Sequence, residues 1–275
     1  MGTNGTPKLT ILPDNTLIIS SIYNGSGINL VKLTNLGDTI WSKKYNNSIS
    51  SDINALTKTL YDVNGSLFSV LTGKYLAELD TSGNFLTTKH LDGLDNYQFR
   101  DAAIFANGDK LILYSVRNGY DYGGVLIRLD KNLNTIKWSK LIGGAGLDFS
   151  NLLLDGNTVV IAGQSYVSPY DFTARVSFVS KIDGDNGNII NTNSYRDPES
   201  GSGAIFLYKS GSGYIIDGAT LYSGGSNIVR PYYIRLSSDL HIQVSKRIDE
   251  LPNVNSGGLY YLLPENDGSF YGVLS

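Results

Sequence analysis

The 275-residue chain is 41% hydrophobic and 17% charged, a balance typical of a globular protein and not of a disordered one. Its net charge of −3 argues against nucleic acid or an anionic membrane as a partner, because both bind strongly basic surfaces. The chain has no cysteine, which excludes disulfides and thiolate metal sites. No apolar run approaches about 18 residues, so we expect no direct membrane insertion.

An apolar strand, a polar turn and a second apolar strand recur along the chain. The pattern occurs at 30–45, 76–91 and 126–141, with looser copies at 178–195 and 233–248. The residues before the five turns are spaced by 46, 50, 53 and 54 positions: Leu33, Leu79, Leu129, Ile182 and Leu236. This period is close to the roughly 40–50 residues of one four-stranded propeller blade. A β-helix repeats in about 20–30 residues, and a β-sandwich has no reason to repeat such a pattern five times.

The third repeat shows the expected strands most clearly. Asp101–Ala106 and Lys110–Val116 flank one polar turn, and Val125–Asp130 and Thr135–Leu141 flank a second. Lys110–Val116 is almost continuously apolar, as expected of a strand that is buried on both faces. No window of useful length has a helical period, so the chain is predicted to be all-β.

We therefore predict a single domain, a β-propeller of about six four-stranded blades with the last blade incomplete. The units are expected at about 8–46, 52–92, 97–143, 148–196, 203–250 and, in part, 257–275. A sandwich or β-helix is the alternative architecture. The half unit at the end has three explanations: a longer protein, a partner chain that covers the Ser269–Ser275 edge, or five blades with an extra hairpin. We favour the first.

Four short segments carry a family resemblance. They are Ile40–Lys44 and Ile136–Lys140, each with Trp-Ser-Lys, the Asp-Gly-Asn and Ala-Gly segment at 154–163, and Lys-Ile-Asp-Gly-Asp-Asn-Gly-Asn at 181–188. Together they resemble the bacterial β-propeller repeats of large secreted or cell-surface proteins, especially of Bacteroidota. The resemblance implies a propeller in an extracellular, cell-surface or virion setting, with no fixed activity.

The start of the chain is polar and has no signal-peptide core. Either the protein is not exported by that route or the sequence begins after the signal. Met1-Gly2 favours the second explanation.

Candidate catalytic groups are few. Most carboxylates lie in turns, where they bond their own backbone. Those placed on inner strands or their entry loops, where an acid–base pair would lie, are Asp52, Asp95, Asp101 and Asp148. The two histidines, His90 and His241, fall on outer strands of different units and are not expected to share a metal. No phosphate loop or nucleophile elbow is present.

We expect no cofactor. The segment beginning at Asp183 and Asp185 resembles the start of a calcium loop, but no acidic residue follows to complete it. A hairpin turn is favoured, with calcium as the alternative. The tryptophans of the Trp-Ser-Lys segments are expected to pack between neighbouring blades.

The best positive signal is aromatic. Tyrosines beside Asn, Asp, Ser and Gly fall in the loops between second and third strands or in the connection before the third unit: Tyr97, Tyr120, Tyr122, Tyr166, Tyr170 and Tyr222. Such loops suit adaptable recognition, because tyrosine offers a rigid amphipathic surface and its neighbours offer hydrogen bonds. The alternative is that these rings pack on their own loops.

The sequence therefore predicts a non-catalytic binding or structural module that recognises a glycan or a protein. Two alternatives remain: a glycan-cleaving hydrolase or lyase with carboxylates at the channel mouth, and a purely architectural domain that a partner chain completes.

Overall fold

The computed structural model describes residues 7–23, 27–45, 58–72, 74–94, 97–118, 121–143, 147–168, 171–195, 201–221, 229–247, 259–264 and 270–274. Within these residues every regular element is a β-strand, and no helix long and apolar enough to span a membrane is found there. The chain divides into two compact units. One contains Met1–Arg117 and Val125–Ser139, and the other contains Asn118–Gly124 and Lys140–Ser275.

The strands form five four-stranded sheets and one two-stranded sheet, each with its strands in chain order. The first sheet contains β1 (Lys8–Ile11), β2 (Leu17–Tyr23), β3 (Gly27–Leu33) and β4 (Thr39–Tyr45). The second contains β5 (Lys58–Tyr61), β6 (Leu67–Thr72), β7 (Tyr75–Leu79) and β8 (Phe85–His90). The third contains β9 (Tyr97–Ile104), β10 (Lys110–Asn118), β11 (Asp121–Leu129) and β12 (Ile136–Ile142).

The fourth sheet contains β13 (Leu147–Asp155), β14 (Thr158–Ser168), β15 (Asp171–Asp183) and β16 (Ile189–Tyr195). The fifth contains β17 (Gly201–Ser210), β18 (Gly213–Leu221), β19 (Val229–Leu236) and β20 (Ile242–Arg247). The sixth pairs β21 (Leu259–Pro264) with β22 (Phe270–Leu274). Neighbouring strands pair antiparallel, as expected for strands joined by short hairpins.

The outer hairpins, between the third and fourth strands, reuse one turn. In the first sheet Thr34 N–H donates to Asp38 O (2.8 Å), and Gly37, with a φ of 95°, closes the loop. Leucine takes this left-handed position in the third and fifth sheets, where Leu133 and Leu240 have φ of 62° and 66°. Both leucine side chains are buried, so apolar burial offsets the backbone strain of a non-glycine residue there.

The core lies between neighbouring sheets, where buried residues of the second and third strands form most of the apolar clusters. In the first unit, the cluster between the first and second sheets centres on Ile18, Leu30 and Leu67, and the cluster between the second and third centres on Phe68 and Ile112. In the second unit, a third cluster joins the fourth and fifth sheets: Val160, Ala162, Val179, Tyr195, Leu207, Tyr214, Ile216, Tyr232, Ile234, Leu236 and Leu240.

Candidate functional site

The predicted binding tyrosines fall at one end of their own sheets. In an antiparallel meander, the start of the first strand and the loop between the second and third strands lie at the same end. In the third sheet that end carries Tyr97, which begins β9 opposite Val116, and Tyr122, which lies near the start of β11. In the fourth sheet Tyr166 pairs with Arg175 near the tip of the β14–β15 hairpin. Sheet topology therefore places each of these tyrosines at the same end of its own sheet.

Tyr97 is half-buried. Its ring packs against the apolar cluster between the second and third sheets, and its backbone N–H donates to Leu94 O (3.0 Å). The ring is thus held by the core while part of its surface is exposed. Rigid, partly exposed aromatic groups of this kind are suited to recognition.

Of the remaining predicted tyrosines, the structure gives the strand position of two and does not describe the other three. Tyr122 and Tyr166 lie in strands and not in loops, because β11 and β14 extend further than their sequences suggested. Tyr120, Tyr170 and Tyr222 lie outside the described residues. A shared tyrosine surface therefore stays a prediction.

The candidate carboxylates that the structure describes are engaged with neighbouring groups. Asp101 is buried, and its Oδ1 accepts hydrogen bonds from Lys58 Nζ (2.5 Å) and from the N–H of Ala102 (2.9 Å). Asp148 is half-buried, and its Oδ2 accepts from Gln164 Nε2 at 3.4 Å. The other two, Asp52 and Asp95, lie outside the described residues. Asp101 is therefore bonded to a strand of the neighbouring sheet, and Asp148 to the next strand of its own sheet.

The calcium-like segment forms the outer hairpin turn of the fourth sheet. Asp183 uses both carboxylate oxygens within the turn, accepting from the N–H of Asp185 (2.8 Å) and from Asn186 Nδ2 (2.8 Å). Asn186 in turn accepts from the N–H of Asn188 (2.8 Å). The turn donors therefore compete with a cation for these oxygens.

The two histidines belong to different sheets, the second and the fifth. His90 lies with Nδ1 2.7 Å from Asp92 Oδ1 and its ring 4.4 Å from the Tyr75 ring, while His241 lies in the exposed outer turn of the fifth sheet. Among the described residues, no group of three or more His, Cys, Asp or Glu side chains could hold a metal ion.

The Trp-Ser-Lys strand of the first sheet is part of a junction with the second. Three side chains of β4 hydrogen-bond to the outer turn of the second sheet: Trp41 Nε1 donates to Thr81 O (3.1 Å), Lys43 Nζ to Asn84 Oδ1 (2.5 Å) and Tyr45 OH to Gly83 O (2.6 Å). Burial, together with the charge of Asp80, raises the pKa of Tyr45 to about 12. A Cβ at Gly83 would lie 3.0 Å from both Trp41 Cη2 and Tyr45 OH, so the aromatic rings need glycine there.

The same junction recurs in a different form elsewhere. In the second sheet Thr87 occupies the position that Trp41 has in the first, because each pairs with the third-strand residue just before the register shift. The outer turn that faces Thr87 carries the buried Leu133. In the fourth sheet Asn191 occupies that position and donates to Asp239 O (3.2 Å) in the turn that carries Leu240. A large outer-strand residue thus faces glycine, and a small one faces leucine.

The first unit contains a buried ionic cluster that the sequence did not predict. Lys110 Nζ lies 2.7 Å from Asp62 Oδ2 and 3.0 Å from Glu78 Oε1, with no exposed side-chain surface on either Lys110 or Asp62. It also donates to two carbonyl oxygens, those of Gly108 (2.8 Å) and Lys131 (3.0 Å). All hydrogen-bonding capacity of the ammonium is therefore used inside the protein.

A second buried carboxylate lies next to this cluster. Burial disfavours ionisation of Asp109, but hydrogen bonds from Lys137 (2.7 Å) and Arg128 (2.6 Å) outweigh it, and the pKa of the carboxyl is lowered. Arg128 also lies 4.1 Å from the Phe105 ring centroid, a cation–π distance. Asp109 thus pairs with two cations, Lys137 and Arg128, which indicates a structural role for this carboxylate.

Comparison with known proteins finds likeness in structure alone. No protein-family model and no curated protein matches the chain. A neuraminidase-like protein of A/flat-faced bat/Peru is similar at a TM-score of 0.53 and 12% identity, over 98% of this chain and 85% of that one. A thermostable family-43 glycoside hydrolase is similar at 0.50 and 15%, over 91% and 96%. BamB from Moraxella catarrhalis is similar at 0.43 and 11%, over 88% and 83%.

The sheets and the first two likenesses confirm the predicted fold class. The described residues form an all-β propeller of five four-stranded sheets and one two-stranded sheet, roughly consistent with the predicted number of about six blades. At 12% and 15% identity these two likenesses establish the fold and not an activity.

Proposed function

We propose that this propeller is a non-catalytic binding or structural module of a bacterial surface, secreted or phage-virion protein. Its ligand is a glycan or protein, recognised by tyrosines at the loop end of the sheets. The repeats resemble those of large bacterial secreted and cell-surface propeller proteins, and that resemblance supports the setting. The single observation that carries the proposal is that Tyr97, Tyr122 and Tyr166 each lie at the end of their own sheet that carries the loop between the second and third strands.

The described charges support binding over catalysis. Asp101 is buried against Lys58, and Asp148 already accepts from Gln164. A glycoside hydrolase of the usual kind needs two carboxyl groups about 5–10 Å apart beside the substrate. Asp101 and Asp148 instead hold the bonds named above, and the hydrolase alternative rests on the shared fold.

Binding should depend on the tyrosines in loops and at strand ends. We expect a fluorescently labelled protein to bind a glycan array or whole bacterial cells, and a Tyr120→Ser, Tyr122→Ser, Tyr166→Ser, Tyr170→Ser variant to lose about tenfold or more in affinity. Periodate treatment of the cells removes glycan and protease treatment removes protein. The treatment that abolishes binding therefore identifies the ligand class.

The matched control removes exposed apolar groups from the opposite end of the sheets. Leu86→Ser, Ile136→Ser and Ile189→Ser change side chains that are 60%, 48% and 56% exposed near the outer turns. This triple variant should bind as the native protein does. Unchanged binding by the tyrosine variant, or no binding by the native protein to either probe, would contradict the proposal.

A further inference from the structure

The first sheet has a face that the second sheet does not cover. This first-sheet face carries Leu9 and Ile11, which are 59% and 67% exposed, and the outer turn Thr34–Asp38. By strand register the equivalent residues of the second sheet are Thr59 and Tyr61. There the first sheet covers them: Thr59 is fully buried, and Tyr61 packs against the shared core. The first-sheet face thus has the same strand register as the face of the second sheet that the first sheet covers.

The outer turn of the first sheet copies the turn that receives Trp41. Gly37 N–H donates to Thr34 O (3.1 Å), and Gly83 N–H donates to Asp80 O (2.9 Å), with φ of 95° and 77°. The surroundings differ. A Cβ at Gly83 would meet the Trp41 and Tyr45 side chains, whereas a Cβ at Gly37 would meet nothing within 4 Å. The Gly37 turn therefore offers the space that a large aromatic side chain fills at Gly83.

The polar groups of the turn indicate which side chains can bind next to the aromatic ring. At the second-sheet turn, Thr81 O accepts from a tryptophan, and the Asn84 side chain accepts from a lysine. The first-sheet turn has Asn35 O at the first position and the Asp38 carboxylate at the second. A carboxylate binds an ammonium group more strongly than an amide oxygen does.

The sequence contains two tryptophans, and both lie in the outer strands of described sheets. Trp41 is bound to the second-sheet turn, and Trp138 lies in β12 of the third sheet. We propose that the first-sheet face docks the outer strand of a β-sheet in a partner protein, a strand carrying the pattern Trp-x-Lys-x-Tyr. The tryptophan covers Gly37, the lysine pairs with Asp38, and the tyrosine donates to Gly37 O. This surface is separate from the tyrosine loops, and the proposal does not depend on them.

The test uses a hairpin peptide with the chain's own sequence from 29 to 45, cyclised and fluorescently labelled, as the probe. Fluorescence anisotropy should show binding to the 275-residue protein. A Trp41→Thr version of the peptide should bind about tenfold more weakly or worse, because it leaves the space over Gly37 unfilled. In the protein, Gly37→Leu should weaken binding by a similar factor, since the added side chain fills that space.

The matched control is Gly156→Leu, which introduces leucine at another left-handed turn glycine (φ 61°) with open space around it. It should bind the peptide as tightly as the native protein. Should Gly37→Leu fail to fold, Asp38→Lys provides the second variant and should weaken binding by repelling the peptide lysine. Equal binding of the two peptides, or unchanged binding by both protein variants, would overturn the proposal. So would no binding by the native protein, the result expected if another segment of the same chain covers the face.

Discussion

Replacing Lys110 with methionine is expected to lower the free energy of unfolding by about 3–5 kcal/mol. The side chain is fully buried, and its ammonium compensates the Asp62 carboxylate 2.7 Å away, which is also fully buried. Without the lysine, that carboxylate stays in a low-dielectric interior without its counter-charge. Urea denaturation followed by circular dichroism measures the loss.

Two further variants separate this cause from a simple loss of packing. Lys246→Met changes an exposed lysine and should shift stability by less than about 0.5 kcal/mol. Adding Asp62→Asn to Lys110→Met should restore part of the lost stability, because the uncompensated charge is removed as well. A loss below about 1 kcal/mol for Lys110→Met would show that the cluster does not need its lysine.

Phe68→Ala is expected to cost about 3–5 kcal/mol, because it opens a cavity in a closely packed core. Phe68 is completely buried, and it belongs to the cluster between the second and third sheets. Phe85 is the matched control from the same sheet, since it is 47% exposed and contacts the Tyr45 ring at its edge. Phe85→Ala should cost about 1 kcal/mol. Equal losses for the two variants in urea denaturation would mean that the proposed core is misplaced.

The repeat made most of the fold predictable. In the third sheet the expected strand Lys110–Val116 corresponds to β10 (Lys110–Asn118), and Thr135–Leu141 corresponds to β12 (Ile136–Ile142). Turn residues mark these inner boundaries clearly, because hairpin turns need particular backbone angles. The loop ends were harder to predict. Polar, tyrosine-rich segments suggested loops, but strand pairing continues into them.

The buried ionic cluster could not be predicted, because it depends on tertiary contacts. Lys110 follows a polar turn and begins an apolar strand, a position where a lysine is usually exposed. Its partner Asp62 lies 48 residues earlier, in the turn of another sheet. Nothing local in the sequence distinguishes these two residues from the other turn charges.

The junction between sheets could have been found in the sequence. Within the units, the outer-strand residues are Trp41, Thr87 and Asn191, and the left-handed residues of the turns that follow them in sequence are Gly83, Leu133 and Leu240. The large Trp41 is followed by a glycine turn, and the smaller Thr87 and Asn191 are followed by leucine turns. The pairing becomes evident only when each strand is compared with the turn of the next repeat and not with its own.

The central claim is that the repeated Trp-Ser-Lys strand and the polar turn of the next sheet form a steric junction. A double-mutant cycle of Trp41→Thr and Gly83→Leu tests it most directly, because the double variant recreates the pairing seen at Thr87 and Leu133. Gly37→Leu, at the equivalent open turn, is the control and should be additive with Trp41→Thr. We predict that the double variant is more stable than the sum of the single losses by about 1–3 kcal/mol. Additivity of Trp41→Thr and Gly83→Leu to within about 0.5 kcal/mol would contradict the account.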